Sequence, residues 1–258
     1  MKVISVYNNK GGVGKTTTTK RLAMNKANKG NKVLIIDMDP QGNISSQFTS
    51  ENKMSVYDVL LNDLDVNKAI VNTEHNNIDI LPAKLNLLNA NNEIMLESLR
   101  GKNPTQRLAE AMFLMPDEVD SQHNFEVLYD YVLIDCPPTM DLLVSNALTC
   151  TDEVIIPLSV DNYSLDGINM LLEKIEEVKN TSNTHLKISG VFLNRYKRSN
   201  IHDEMKSVID QLLSDYVAPV VIGDYAVINE NTFTLDESKI EKHKVTKQFD
   251  ELFESLGV

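Results

Sequence analysis

Residues 8–17 (NNKGGVGKTT) combine three glycines with two lysines and two threonines. Glycines carry no Cβ, so the backbone N–H groups around them can close on an anion. A helical pattern begins at Lys15, which points the positive end of a helix dipole at the same space. The Lys15 ammonium suits the β- and γ-phosphates of a nucleotide, the Thr16 hydroxyl suits Mg²⁺, and the Thr17 hydroxyl suits a further phosphate. The predicted phosphate-binding residues are Gly11, Gly12, Val13, Gly14, Lys15, Thr16 and Thr17.

This loop departs at one position from the general phosphate-binding pattern G-x-x-x-x-G-K-[ST]. Asn9 stands where that pattern has its first glycine, and a second lysine, Lys10, precedes Lys15 in the same loop. One phosphate site has limited need for two cations, so Lys10 can neutralise charge contributed by a second subunit, as an arginine finger does. The alternative for Lys10 is a solvated surface lysine, and spacing alone does not distinguish the two.

Two acids follow the second apolar run of the chain, in the segment 37–43 (DMDPQGN). In a parallel sheet this strand end lies beside the phosphate loop, so an acid there can orient water against the γ-phosphate or hold Mg²⁺ through its waters. On its own, the segment equally fits a turn in which Asp39 caps the chain before Pro40. Together with the phosphate loop it favours catalysis, with Asp39 ahead of Asp37.

A third acid, Asp135, ends the run 131–135 (YVLID), which has the layout of a Walker B strand. We expect Asp135 in the outer coordination sphere of Mg²⁺, with the Thr16 hydroxyl as a direct ligand. Cys136 comes next and is interpreted as a small buried residue. The predicted catalytic residues are Lys10, Lys15 and Asp39, and the predicted metal-associated residues are Thr16, Asp39 and Asp135.

These residues follow predicted strands, and the strands are continuous apolar runs rather than alternating ones. That pattern is typical of strands buried on both faces of a parallel sheet. The helical stretches between them imply helices on both sides. We therefore predict one doubly wound α/β domain across residues 1–258, with a mostly parallel sheet and its ligand beyond the carboxyl ends of the strands. The predicted strands are 3–7, 32–37, 78–81, 131–135, 153–158, 188–193 and 217–222. The predicted helices are 15–29, 84–99, 104–114, 141–149, 164–180, 201–214 and 241–256, and the predicted exposed loop is 115–124.

The composition excludes several classes of protein. Lys and Arg number 25 against 37 Asp and Glu, a net charge of −12, which excludes a uniformly basic nucleic-acid binder but leaves room for a local basic patch. Two cysteines exclude a disulfide framework and a cysteine-rich metal site. No apolar stretch is long enough for a membrane span. The first residues enter a strand pattern without the layout of a secretory signal, so we expect a cytoplasmic protein.

At its three nucleotide motifs the chain resembles the ParA/MinD family of P-loop ATPases, and within it the ParA/Soj branch of partition ATPases. The resemblance implies a P-loop NTPase fold and slow, Mg²⁺-dependent hydrolysis of ATP. It implies that Lys10 reaches across an ATP-sandwiched homodimer to the partner's nucleotide, that Asp39 positions the hydrolytic water and that Thr16 binds Mg²⁺. It also implies that Asn194 contacts the adenine, although an Asn at this place also fits a turn cap. The matching segments are 10–18, 33–43, 55–61, 78–83, 129–138, 146–158, 164–175 and 190–195.

The same resemblance implies stimulation by a ParB-type centromere-binding partner and DNA binding by the ATP dimer without sequence preference. The chain departs from the family at residues 220–228 (VVIGDYAVI), where relatives carry a basic stretch. Basic residues lie elsewhere in two groups, which either contact phosphates or are ordinary solvated charges. These groups are Arg195, Lys197, Arg198, His202 and Lys206, and Lys239, Lys242, Lys244 and Lys247. Because the chain is acidic, we expect DNA binding that is lost at moderate salt, with nucleoid association where it occurs.

Two alternative functions stay open at this point. A MinD-like ATPase would position a protein assembly at a membrane or scaffold, and that branch ends in a basic amphipathic helix. Residues 244–256 carry an apolar stripe, but Asp250, Glu251 and Glu254 on the polar face would be repelled by anionic lipid. We therefore expect this helix to dock on the domain and expect no membrane binding. The second alternative, a nucleotide-gated scaffold without turnover, is disfavoured by the intact set of predicted catalytic residues.

Overall fold

The computed structural model describes residues 1–50, 54–113, 128–160, 165–228 and 237–258. Its strands are β1 (Lys2–Val6), β2 (Val33–Asp37), β3 (Val71–Asn72), β4 (Ile78–Leu81), β5 (Tyr131–Asp135), β6 (Glu153–Ser159) and β7 (Lys187–Asn194). Within the described ranges these strands form one sheet in the order β3-β4-β2-β5-β1-β6-β7. Every neighbouring pair is parallel except β3 and β4, which are antiparallel at one edge.

Helices connect these strands through most of the described chain. They are α1 (Lys15–Asn28), α2 (Ser45–Phe48), α3 (Val56–Leu61), α4 (Val66–Ala69), α5 (Ala90–Ser98), α6 (Arg107–Phe113), α7 (Leu142–Thr149), α8 (Leu165–Thr181), α9 (Asn200–Leu212), α10 (Glu237–Glu241) and α11 (Lys244–Ser255). A 3-10 helix, Leu85–Asn89, precedes α5.

The sheet buries both of its faces, because alternate side chains of a strand enter two separate cores. Leu34 and Ile36 of β2 belong to one apolar cluster, which includes residues of α3, α5, α6, α7 and α8. Val33 and Ile35 of the same strand belong to the other cluster, which includes residues of α1 and α11. All five residues of β2 are buried. The predicted doubly wound α/β class, with a mostly parallel sheet and helices on both faces, is confirmed.

The carboxyl ends of β1, β2 and β5 meet in the middle of the sheet. The register of β5 places Asp135 opposite Asp37 of β2 on one side and Val6 of β1 on the other. Parallel strands end at the same edge, so the loop after β1 and the turn after β2 lie next to Asp135. The predicted ligand edge of the sheet is where the candidate residues converge.

One predicted element, the last strand at 217–222, is wrong. Val217 makes one isolated bridge, to Val191 of β7, and Gly223 makes another, to Tyr196 just beyond β7. Pro219 lies between them and has no N–H to donate, so a continuous ladder does not form. No sequence pattern predicts β3, which has only two residues.

Helix boundaries differ from the predicted ones in two places. The predicted helix at 84–99 begins as the 3-10 helix before it continues as α5. The predicted helix at 241–256 begins only at Lys244, as α11, because His243 Nδ1 accepts a hydrogen bond from Val245 N and caps its start; the separate short helix α10 (Glu237–Glu241) precedes it. The predicted loop at 115–124 lies outside the described residues. The remaining predicted strands and helices agree with the structure to within three residues at each end.

The carboxy-terminal helix α11 packs against α1. Its buried apolar residues are Val245, Phe249, Leu252 and Phe253. On the same contact, Asn25 Nδ2 donates a hydrogen bond to Asp250 Oδ1 at 2.6 Å. Because the apolar face is occupied by the protein's own core, it is not offered to lipid. The expectation that this helix docks on the domain is confirmed.

Candidate nucleotide-binding site

The loop after β1 has a backbone shape that two glycines make possible. Gly12 and Gly14 have φ values of +73° and +96°, in the left-handed region that residues with a Cβ rarely adopt. Gly14 is also in close contact with Asn194, since a Cβ at Gly14 would lie 2.0 Å from Asn194 Nδ2. The loop is therefore shaped by its own glycines and pressed against the end of β7.

Two asparagines fasten the loop to the neighbouring strands. Asn8 Nδ2 donates to the Pro157 carbonyl in β6 at 2.8 Å, and Asn8 Oδ1 accepts from Lys10 N at 2.9 Å. Asn194 Nδ2 donates to the Val13 carbonyl at 2.8 Å. Asn194 is thus a loop anchor in this structure, and its adenine contact stays a prediction. Sequence reasoning misses Asn8, because its partner Pro157 is 149 residues away.

The two lysines of the loop occupy different environments. Lys15 is buried, and its Nζ donates a hydrogen bond to the Lys10 carbonyl at 2.8 Å. Burial lowers the pKa of Lys15, and the nearby acids Asp135 and Asp39 act in the opposite direction. The Lys10 side chain is exposed. Lys15 is therefore placed to contact phosphates inside the loop, whereas Lys10 faces outward.

Thr16 and Asp135 form the predicted metal-associated pair. The Thr16 hydroxyl donates to Asp135 Oδ2 at 2.7 Å, and the Thr19 hydroxyl lies 3.4 Å from Asp135 Oδ1. Asp135 is fully buried, and burial followed by the neighbouring Asp37 carboxylate raises its pKa well above the usual value. A divalent cation beside Thr16 would favour the charged form of Asp135 and so lower its pKa again. Thr19 is a further contact that the motif does not indicate.

The acids after β2 hold a tight turn. Asp39 Oδ1 accepts from Gln41 N at 2.9 Å, so the turn-capping role is real. Asp39 is also close enough to Asp135 and Lys15 to shift the pKa of both. Asp37 is fully buried, and burial raises its pKa despite hydrogen bonds from Ser45 and from the backbone of Asp39. Asp39 therefore caps the turn and also lies near Asp135 and Lys15.

The residues at this edge fit a Mg²⁺–nucleotide complex. Nothing lies within 4 Å of the place where a Cβ on Gly11 would stand, so the loop is open beside its backbone there. Lys15 supplies a cation, the Thr16 hydroxyl supplies a hard oxygen ligand of the kind Mg²⁺ prefers, and the Asp135 carboxylate behind it suits the outer coordination sphere of the ion. A phosphate chain on the loop would lie at the amino end of α1, where the helix dipole favours negative charge.

An acid of the same chain, Asp224, pairs with two residues of the first predicted basic group. Arg195 Nε lies 3.4 Å from Asp224 Oδ1, and Lys197 Nζ lies 3.4 Å from Asp224 Oδ2. Asp224 belongs to the segment that replaces the basic stretch of the family. Arg198 is exposed beside them. Asp224, from the segment 220–228, therefore forms one cluster with the basic residues that follow β7.

None of the helices in the described ranges has the length and apolarity that crossing a membrane requires.

The chain matches a family model described as an AAA domain over residues 1–188. It is similar to the sporulation initiation inhibitor protein Soj of Bacillus subtilis, with 37% identity over 225 residues that cover 86% of this chain and 83% of the relative.

Two solved structures are similar in fold. Cobyrinic acid a,c-diamide synthase of Mycobacterium smegmatis, with a bound ATP analogue and magnesium, has a TM-score of 0.77 and 27% identity, covering 97% of this chain and 92% of the other. A plasmid partition protein of Borrelia burgdorferi bound to AMPPNP has a TM-score of 0.78 and 26% identity, covering 98% of this chain and 97% of the other. The fold is thus one that holds adenine nucleotides in both neighbours.

Proposed function

This chain belongs to the ParA/MinD family of P-loop ATPases, and from that premise we propose that it hydrolyses ATP to drive the partition of DNA. The observation that carries the proposal is the grouping of Lys15, Thr16 and Asp135 beside the Asp39 turn, at the carboxyl edge of a parallel sheet. These residues suit ATP and Mg²⁺. The similarity to Soj and to a plasmid partition protein supports a role in DNA partition.

The loop and its buried side chains bind the substrate. Backbone N–H groups of residues 11–16 and the Lys15 ammonium hold the β- and γ-phosphates. Thr16 would provide a hydroxyl ligand for Mg²⁺, and Asp135, which accepts a hydrogen bond from the Thr16 hydroxyl, would lie in the outer coordination sphere of the ion. When bound, Mg²⁺ would supply positive charge that offsets the negative charge of the phosphates. Asn8 and Asn194 keep the loop rigid for this contact.

Hydrolysis needs a water aligned with the γ-phosphate, and Asp39 is the residue that we assign to orient it. Its carboxylate stands on the turn after β2, next to the metal-associated acid Asp135. Lys10, which is exposed, stabilises charge at the nucleotide of a second copy of the chain. ATP binding thereby favours a homodimer, and hydrolysis returns it to monomers.

A ParB-type partner triggers that hydrolysis, and the ATP dimer binds DNA without sequence preference in the cytoplasm, on the nucleoid. Arg195, Lys197 and Arg198 are the phosphate contacts that we assign. The chain itself carries a net charge of −12, so this contact is local and sensitive to salt.

Light scattering with and without ATP, combined with ATP turnover, tests the proposal on three variants. Lys15→Ala should lose nucleotide binding. Asp39→Ala should bind ATP and stay dimeric, with turnover reduced about 100-fold or more, since groups that orient or deprotonate a nucleophile contribute about 10²–10⁴-fold. Lys10→Ala should bind ATP as a monomer.

Lys29→Ala is the matched control, because Lys29 is an exposed lysine at the far end of α1. It should dimerise and turn over ATP as the wild type does. Rapid turnover by Asp39→Ala would rule out its catalytic role, and normal dimerisation by Lys10→Ala would contradict the contact with a second subunit. Sedimentation with anionic vesicles, compared with DNA retention at two salt concentrations, separates the DNA function from membrane cycling.

A further inference from the structure

Asp37 is a buried acid beside the site that has no place in the reaction described above. Both of its oxygens are engaged by backbone or side chain of the turn that carries Asp39. Asp37 Oδ1 accepts from Asp39 N at 3.0 Å. Asp37 Oδ2 accepts from Ser45 N at 3.0 Å and from the Ser45 hydroxyl at 2.6 Å. The carboxylate therefore spans the turn from its first residue to the start of α2.

Ser45 connects this carboxylate to a second strand end. Its hydroxyl oxygen accepts a hydrogen bond from Ala83 N at 2.9 Å, just beyond β4, while the same hydroxyl donates to Asp37. Ser45 is buried, so these bonds are not replaced by water. One side chain thus joins the end of β2, the start of α2 and the segment after β4.

The turn between these anchors is short and held at several points. Gly42 N donates to the Asp39 carbonyl at 2.9 Å, and Gly42 has a φ of +63°. Asp39 N donates a hydrogen bond to Asp37, so Asp37 holds the backbone that carries the Asp39 carboxylate. A displacement of Asp37 or Ser45 would move the Asp39 carboxylate with the turn.

We infer that Ser45, acting through Asp37, is a positioning residue that holds Asp39 where it can orient the attacking water. The inference rests on the proposed ATP hydrolysis and adds to it the group that fixes the geometry. Misplacement of a reacting group by about 1 Å can cost about 100-fold in rate. Because Ser45 does not belong to the phosphate loop, loss of its hydroxyl should act on turnover and not on nucleotide affinity.

Steady-state ATP hydrolysis by the full chain tests this with a series at position 45. Ser45→Ala removes the hydrogen bond from the hydroxyl to Asp37 and the acceptor for Ala83 N, while the bond from Ser45 N to Asp37 remains. Its kcat should fall about 10- to 100-fold while KM for ATP stays within about twofold. Ser45→Thr keeps the hydroxyl and should retain most of the wild-type kcat. Ser45→Cys keeps the size of the side chain with only a weak donor and should resemble Ser45→Ala, which covers the case in which the alanine variant folds poorly.

Ser55→Ala is the matched control. Ser55 is also buried, it lies directly before a short helix whereas Ser45 is the first residue of one, and its hydroxyl donates a hydrogen bond to a carboxylate, Asp58 Oδ2, at 3.0 Å. Its removal should lower thermal stability to a similar degree and leave kcat unchanged. A normal kcat in Ser45→Ala, or an equal loss of kcat in Ser55→Ala, would overturn the inference.

Asp39→Ala, measured in the same series, distinguishes this inference from the function on which it rests. If Asp39→Ala is inactive and Ser45→Ala turns over normally, Ser45 is not a positioning residue and the proposed function stands. If Asp39→Ala turns over normally, the catalytic assignment of Asp39 fails, and the positioning role fails with it. Three results together support both the proposed function and the positioning role. Asp39→Ala loses turnover, Ser45→Ala loses kcat with KM unchanged, and Ser45→Thr keeps most of the wild-type kcat.

Discussion

A few side chains from distant parts of the sequence determine the shape of the phosphate loop. Asn8 ties it to β6 and Asn194 ties it to β7, while Gly12 and Gly14 allow the backbone to turn between these anchors. These contacts hold the loop in a defined shape. A loop that is held by its own contacts costs less binding energy to order.

The contact between Gly14 and Asn194 leads to a specific expectation for Gly14→Ala. A Cβ at this position would lie 2.0 Å from Asn194 Nδ2, and a φ of +96° costs a residue with a Cβ about 1–2 kcal/mol. Relief of the clash requires Asn194 to leave the Val13 carbonyl, which deforms the loop. We expect the affinity for a non-hydrolysable ATP analogue to fall at least about tenfold, measured by titration calorimetry.

Gly101→Ala separates this loss of affinity from backbone strain alone. Gly101 has a similar φ of +90°, and nothing lies within 4 Å of the place where a Cβ on it would stand. Gly101→Ala should lose only the stability that its strained φ costs and should keep nucleotide affinity, whereas Gly14→Ala should lose more stability and also nucleotide affinity. Wild-type affinity in Gly14→Ala would show that Asn194 does not constrain the loop.

Site residues inside a contiguous motif can be predicted from the sequence. Site residues whose hydrogen-bond partners lie far away in the sequence cannot. Lys15 and Thr16 follow from the loop pattern, and Asp135 follows from its place after an apolar run. Asn8, Thr19 and Ser45 have partners far along the chain, so their roles appear only when the strands are assembled. A polar residue near a motif has no distinguishing signal in one sequence.

The order of elements explains why the strand ends converge as they do. β1, β5 and β2 are adjacent in the sheet although β5 follows β2 by about a hundred residues of chain. Their apolar runs predict burial on both faces, and this prediction is confirmed by the two cores. The segment 217–222 has a similar apolar composition but contains Pro219, which interrupts pairing. Hydrophobicity alone therefore predicts burial better than it predicts pairing.

The docked helix α11 gives a prediction about stability. Phe253 is fully buried between α11 and the rest of the second core, and it stacks on Phe249 with ring centroids 5.8 Å apart. Phe253→Ala should lower the free energy of unfolding by about 3–5 kcal/mol, because it removes apolar contact and leaves a cavity. Urea denaturation followed by circular dichroism measures this change.

Leu212→Ala, at a position that is 55% exposed on α9, serves as the comparison and should change the free energy of unfolding by no more than about 0.5 kcal/mol. If Phe253→Ala were as stable as the wild type, α11 would not be part of the core. Sedimentation of the wild-type protein with anionic vesicles would also contradict the docking of α11, because the apolar face would then be available to lipid.

The charge of the whole molecule opposes contact with DNA, so the location of basic residues matters more than their number. The chain carries −12 overall, and the first basic group sits at the end of β7, directly after the loop anchor Asn194. Two members of that group are paired with Asp224. Binding of a phosphate backbone by Arg195 and Lys197 must therefore compete with an acid that belongs to the same chain.

We predict that Asp224→Asn strengthens DNA binding. Removal of the carboxylate releases Arg195 and Lys197 from their ion pairs and makes the surface around Arg198 more positive. Each additional phosphate contact steepens the dependence of affinity on salt by about one unit of log–log slope. We expect ATP-dependent DNA affinity to rise about three- to tenfold at low salt, with a slope steeper by about one to two, in a titration of labelled duplex at several salt concentrations.

Asp215→Asn controls for the change in total charge. Asp215 is exposed, and its substitution removes the same single negative charge, but it makes no ion pair with the basic group among the described contacts. If DNA contact is local, only Asp224→Asn should gain affinity; if the field of the whole protein governs binding, both variants should gain equally. Equal gains, or no gain in either variant, would remove the basic group at the end of β7 from the DNA interface and leave the lysines of α10 and α11 as the remaining candidates.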